Sequence, residues 1–422
     1  MDVKERIYQW INENKDKNIE RLRKMVNLDS TQGNEKDIQR LIVNYLEELE
    51  VKVDIWDLDG ERLKENPYFY SNRETFENSP NVVGVLKGTG GGKSIILNGH
   101  VDVVPAGDIE QWNEPPYSGS IVDGKMYGRG VTDMKGGNIA LLMVMEALQS
   151  LSIRLKGDVI FQSVVEEESG GAGTLDAILK GYQADVAIIP EPTDMKIFPK
   201  QQGSKWFRLI INGITAHGGT RYHGVSAIDK ALVVNEYIRE LEKIRNARIT
   251  DPLYKNNPIP VPINIGRIEG GDWPSSVPDQ VKLEGRIGIA PNEAIEEVEN
   301  ELEEWLEKLA EKDDWFKNHP VQVEWYGARW LPGEIDTEHP LMQSLVDNYK
   351  SIKGSKPEVS ASPWGTDGGL LTKVANTPSL VFGPGITNLA HFPNEAIELE
   401  SIFETAKIIA ATVIDWCEVS NI

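Results

Sequence analysis

The chain has 422 residues, 26% charged and 40% hydrophobic, with a net charge of −22 and one cysteine, Cys417. So acidic a surface repels phosphate backbones and anionic lipid heads, so neither nucleic acid nor a membrane is an expected partner. One cysteine excludes an intrachain disulfide framework and cysteine-based zinc knuckles, which leaves six histidines and the carboxylates as metal donors.

The length points to two domains. No apolar stretch approaches a membrane span, and the N-terminal residues lack the basic flank, apolar centre and cleavage site of a secretory signal, so a cytoplasmic location is expected. Through about residue 50 the chain reads as helices, since Ile38, Leu41, Ile42, Tyr45, Leu46 and Leu49 recur at helical spacing. The segment 59–80 shows neither helical nor strand period and reads as a long loop. Strand-like runs then alternate with helical ones: VVGVLKG, SIILNG, a helix through NIALLMVMEALQSL, DVIFQSVV and DVAIIP. Continuous apolar strands separated by helices predict an α/β domain, a mostly parallel sheet with helices on both faces.

From about residue 203 the pattern changes to strand, helix, strand, strand, helix, strand. WFRLIING opens this unit and HPVQVEWYG closes it. The second helix carries Ile295, Val298, Leu302, Trp305, Leu306 and Leu309 on one face and mostly glutamates on the other. That is the split order of a ferredoxin-like α+β domain. Helix and buried strand resume after about 330, so residues 203–329 are expected as an insert in a catalytic domain of residues 1–202 and 330–422.

The glycine-rich GTGGGKS at 88–94 does not make a phosphate loop. The required first glycine is Lys87, and a strand rather than a helix follows the lysine. A tight turn explains the glycines. No G-x-S-x-G occurs, so a nucleophile-elbow serine has no anchor.

Chemistry gathers where the apolar strands end. SIILNG runs into His100 and Asp102, DVIFQSVV into Glu166, Glu167 and Glu168, and DVAIIP into Glu191. SLVFGPG leads, a few residues on, to His391, and the Gly-rich YGRGVTDMKGG carries Asp133. In an open parallel sheet the carboxyl ends of the strands share one edge, where ligands bind. Two His, one Asp and two Glu suit a pair of zinc-like ions, each with one imidazole and one terminal carboxylate, with a single Asp bridging both. Asp102, two residues beyond His100, is placed to accept the other ring N–H and fix the tautomer. Of the adjacent Glu167 and Glu168, one is expected to ligate and the other to act as general base.

Through NGHVDVVP, Trp112 with Pro115, Pro116 and Tyr117, YGRGVTDMKGG, EEESGGAGT, PEPT, AHGG and FGPG…AHFPNE, the chain resembles a known metallopeptidase and deacylase family. Its members include acetylornithine deacetylase, succinyl-diaminopimelate desuccinylase, aminoacylase and glutamate carboxypeptidase. The resemblance runs in order along nearly the whole chain. It implies a zinc-exopeptidase-like catalytic domain and two divalent ions, zinc or cobalt. His100 and Glu191 would share one ion, Glu168 and His391 the other, with Asp133 between them and Glu167 as the catalytic base. It also implies a cis bond between Asp133 and Met134.

The resemblance further implies a homodimer, in which the insert both dimerises and closes as a lid, and His217 of GITAHGGT reaches the other subunit's site as an oxyanion donor. Arg286 would bind a substrate carboxylate, to which a guanidinium offers a bidentate fork. Ser276 stands where many relatives carry Asn, so that contact differs here, and Thr366 and Asp367 fall at substrate-contact positions. The implied activity is hydrolysis of a small N-acyl amine of the acetylornithine type. The alternatives are a desuccinylase, a dipeptidase or carboxypeptidase, and a deformylase of an aminopyrimidine; a non-catalytic binding module of the same fold is the reading from a different class. His223, His319 and His339 match no motif of the family.

Overall fold

In the computed structural model, which describes residues 2–420, the strands Ile95–His100 and Val159–Val164 are buried at every residue, as strands covered on both faces must be. They pair in parallel, and Val186–Ile189 and then Ser379–Val381 extend the parallel core. The flanks run the other way. Pro80–Leu86 is antiparallel to Val159–Val164 and to the outermost Lys52–Asp57, and Val381 pairs antiparallel with Phe198. The mostly parallel sheet expected from the apolar runs therefore holds at its centre, with antiparallel borders. The reason lies in residues 87–94, which are too few for a crossover between parallel strands and so reverse the chain. That reversal is the use of the glycine-rich segment. Gly90 N–H donates to Lys156 O, and a strand, Ile95–His100, follows directly.

The chain divides into two compact units, residues 1–200, 333–360 and 366–422 in the first and residues 201–332 with 361–365 in the second. In the first, Gly136–Ser150 is mostly apolar and buried from Gly136 to Leu148, packed beside Leu399–Cys417. Glu146 within that run is paired with Lys17 and Arg21 of the helix Lys15–Val26, so its charge is not buried alone. The helix Lys36–Glu48 turns Ile38, Ile42, Tyr45 and Leu46 inward, against Pro80–Leu86. The segment 59–80 is not featureless: Asp59 caps a short helix, Gly60–Lys64, by accepting the Arg62 N–H. Among the described residues no helix is long and apolar enough to cross a membrane.

The second unit is a four-stranded antiparallel sheet in the order Ile263–Gly270, Gln280–Ile289, Gly203–Asn212, Gln322–Trp330. The helices Ala227–Ala247 and Ile295–Glu307 supply the rest of its core. Phe207, Leu209, Leu283 and Ile287 are buried in it together with Val234, Ile238, Val298 and Leu302. This is the ferredoxin-like arrangement read from the sequence.

Candidate metal centre

His100 is the last residue of its strand, Glu166–Glu168 follow Val159–Val164 by two residues, and Glu191 follows Val186–Ile189 by the same step. The parallel register carries all three to one edge. Asp133 joins them from the turn before Gly136–Ser150, and the Asp133–Met134 bond is cis. His391 comes from the loop beyond Ser379–Val381.

Asp133 lies at the centre. Its Oδ1 is 3.2 Å from His100 Nε2 and its Oδ2 is 3.4 Å from His391 Nε2. On the first side Glu191 Oε1 lies 3.7 Å from His100 Nε2; on the second Glu168 Oε1 lies 3.0 Å from His391 Nε2. The structure therefore brings together all five residues expected as ligands, in two imidazole–carboxylate pairs on either side of one aspartate. The donor atoms of His100, Asp133 and Glu168 fall within 4.8 Å of one another, as do those of His100, Glu167 and Glu191.

The electrostatics are dominated by the carboxylates. Burial pushes the Glu191 carboxyl up to about 8 against the opposing pull of His100. Burial, reinforced by Glu191, Asp367 and Glu168, also holds Glu167 well above the usual carboxylate range. Burial disfavours charge on Asp133 too, but the two imidazoles on its oxygens outweigh that and hold it far below. His391 is raised to about 11, because Asp133 and Glu168 overcome its own burial. So many carboxylates around one point suit bound cations, and a bound cation inverts these shifts. The donor types and their spacing fit two divalent ions of the zinc class.

Asp102 acts differently from the sequence expectation. His100 Nδ1 is 2.9 Å from the Asp102 backbone oxygen, whereas the Asp102 carboxylate is 3.6 Å away. The carboxylate instead accepts the backbone N–H groups of Glu167 and Glu168, at 3.2 and 3.1 Å. The chain curls as it leaves the strand, so the main chain faces the ring and the side chain faces the glutamate turn. Thr366 is buried and accepts the Gly368 N–H. Asp367 Oδ2 accepts the Thr174 hydroxyl at 2.6 Å, while its buried Oδ1 has no hydrogen-bond partner among the described residues. Burial raises this carboxyl to about 6.

In the second unit His217 and Ser276 face each other across an isolated bridge. His217 is exposed, and its Nδ1 accepts the Gly219 N–H at 3.1 Å. That places the ring proton on Nε2, free to donate. Arg286 lies further along Gln280–Ile289, opposite Trp206. Its Nε and Nη2 are buried without a hydrogen-bond partner among the described residues, and burial lowers its pKa.

Sequence reasoning missed the frame around the expected ligands. Glu395 accepts the N–H groups of Gly130, Thr132 and Asp133 at 3.0, 2.9 and 3.2 Å, and Arg129 Nη1 at 2.6 Å. Arg129 in turn lies over the Trp112 ring, 5.2 Å from its centroid. Both Arg129 and Glu395 sit inside motifs that carried the resemblance, YGRG and HFPNE, and nothing but that membership marked them.

The model of peptidase family M20/M25/M40 matches residues 96–415. The chain belongs to this family. It is 34% identical over 403 residues to the N-formyl-4-amino-5-aminomethyl-2-methylpyrimidine deformylase of Halalkalibacterium halodurans, covering 91% of this chain and 90% of the relative. It is 29% identical over 349 residues to the acetylornithine deacetylase of Photorhabdus laumondii, covering 79% and 82%. Among solved structures, the dipeptidase Dug1p of Saccharomyces cerevisiae superposes with a TM-score of 0.76 at 17% identity, covering 100% of both chains; at that identity the likeness is one of fold. The resemblance read from the motifs is thus a family membership, and the M20 chain is a hydrolase of the amide-cleaving class.

Proposed function

We propose that this M20 chain hydrolyses the amide of a small N-acyl amine at a site of two divalent metal ions, zinc with cobalt as a working substitute. The carrying observation is Asp133, whose two oxygens each face a histidine that has its own carboxylate. His100 and Glu191 would hold one ion, His391 and Glu168 the other, and Asp133 both. When bound, the ions supply Lewis acidity to the acyl carbonyl and acidify the attacking water.

The chain's own residues do the rest. Glu167, buried beside the cluster, takes the proton of the water on its carboxylate and delivers it to the departing nitrogen. Asp102 holds the amides of Glu167 and Glu168, and its carbonyl fixes the His100 ring. His217, with Nε2–H free, is suited to donate to the developing oxyanion of a partner subunit in a homodimer. Ser276, its neighbour, and Thr366 and Asp367 would contact substrate. Residues 203–329 would serve as the dimerisation and lid element.

The relatives matched over 91% of the chain at 34% and 33% identity are formylaminopyrimidine deformylases, which favours a short acyl group, formyl first. Arg286 favours a second reading. Two buried guanidinium nitrogens without a partner are costly unless a ligand anion completes them, and that points to a carboxylate on the amine, as in acetylornithine. A panel of N-formyl, N-acetyl and N-succinyl derivatives, each on an aminomethylpyrimidine and on an α-amino acid, separates the two. Turnover of a formyl or acetyl member is expected, lost with a chelator and restored by zinc or cobalt. If the zinc-loaded protein cleaves no amide in the panel, the proposal is wrong.

A further inference from the structure

The glutamate turn is held from two sides, and only one of them faces the metal centre. Asp102 takes the backbone N–H groups of Glu167 and Glu168. On the other side stands Glu166, which no part of the proposed reaction uses. Its carboxylate is wholly buried yet accepts from Arg73 Nη1 at 2.9 Å, Ser71 Oγ at 2.9 Å, Ser169 Oγ at 3.0 Å and Gln32 Nε2 at 3.1 Å. Its backbone is in the left-handed region, φ +66°, a conformation a glutamate adopts only when its surroundings impose it.

Arg73 and Ser71 both come from the stretch 59–80, which reads from the sequence as a long loop that could shape the substrate pocket. Arg73 does more than meet Glu166. The same Nη1 donates to Ser79 Oγ at 2.8 Å, Ser79 Oγ donates to Glu35 Oε2 at 2.6 Å, and Glu35 Oε1 lies 3.7 Å from Arg73. Glu35 is itself fully buried, stands directly before Lys36–Glu48 and accepts the Gly33 N–H at 2.9 Å. One guanidinium, largely sheltered and lying over the Phe76 ring at 5.3 Å, therefore answers two buried carboxylates. It ties the loop to the residue directly before the catalytic glutamate.

Resting on the reading of Glu167 as the base, we infer that Arg73 is a positioning residue for Glu167, acting through Glu166 to fix the turn 166–168. Without it, Glu166 has a buried charge and no cation. The turn then relaxes toward solvent, and Glu167 leaves the line between water and leaving group. Misplacing a reacting group by about 1 Å costs on the order of 100-fold in rate. Substrate affinity rests on other groups and is spared.

The test uses the full zinc-loaded chain with the panel amide that it cleaves fastest. Arg73→Ala should lower kcat by about 10- to 100-fold with KM within about threefold and zinc content unchanged, as supporting residues behind a site do. Arg73→Lys, which keeps the charge opposite Glu166, should recover most of the loss. Deuterium uptake over 165–171 should rise in Arg73→Ala while uptake in Gly136–Ser150 stays as in the wild type. A kcat within about threefold of wild type, or a loss that follows zinc content, overturns the role. Should Arg73→Ala be insoluble, Glu166→Gln decides in its place by the same kcat, KM and uptake criteria. If the wild type cleaves nothing in the panel, the functional reading fails and the positioning role falls with it; an active wild type with unchanged uptake over 165–171 in the variant sinks the positioning role alone.

Discussion

Glu167→Ala is expected to lower kcat by about 1000-fold while zinc content and KM stay near their wild-type values. The residue is 7% exposed and stands beside Glu191 and Glu168, within reach of a water held at the centre. None of the five proposed ligands depends on it for orientation, since Asp102 grips the turn by its backbone. The loss should therefore fall on the chemical step. Steady-state kinetics with metal analysis on one preparation check this, and near-normal turnover removes Glu167 from the role of base. The same variant tests the dimer: mixed with His217→Ala chains under conditions that allow subunit exchange, it should regain activity, because hybrid dimers hold one intact site. No recovery in an exchanging mixture contradicts a histidine acting across subunits.

Glu395→Ala is expected to be the most destabilising single change near the site, by about 3–5 kcal/mol, because it strands a buried cation. Arg129, 2% exposed, would lose its carboxylate, and the N–H groups of Gly130, Thr132 and Asp133 their acceptor. Those amides belong to the turn that presents Asp133, so affinity for zinc should also fall by about 10- to 100-fold. Urea unfolding of the metal-free protein and a competition titration with a zinc chelator measure the two effects separately. A variant within about 1 kcal/mol of wild type, with zinc affinity intact, would show that the Asp133 turn is held by something else.

The parallel core was legible in the sequence because its strands are buried on both faces and read as unbroken apolar runs; SIILNG and DVIFQSVV left no other interpretation. The insert was legible because its helix from Ile295 is amphipathic at a clear period. The antiparallel direction of Pro80–Leu86 was not, since strand direction depends on the length of the connection and not on the strand's own residues. The proposed ligands could be read because each lies at or beyond the end of a strand or in a Gly-rich turn. Asp102 illustrates the limit. Its proximity to His100 followed from spacing, but whether carbonyl or carboxylate faces the ring depends on a backbone curl that two residues of sequence do not encode. Arg73, Glu35 and Glu395 escaped for a related reason. Each works through partners 93, 44 and 266 positions away, and a single sequence carries no sign of such pairing.

The central claim is a two-ion site built on Asp133. Crystals of the zinc-loaded protein, with anomalous differences measured at the zinc edge, test it most directly. Two peaks are predicted, one between His100 and Glu191 and one between His391 and Glu168, each against its own oxygen of Asp133. A single peak, or peaks away from Asp133, would contradict the account.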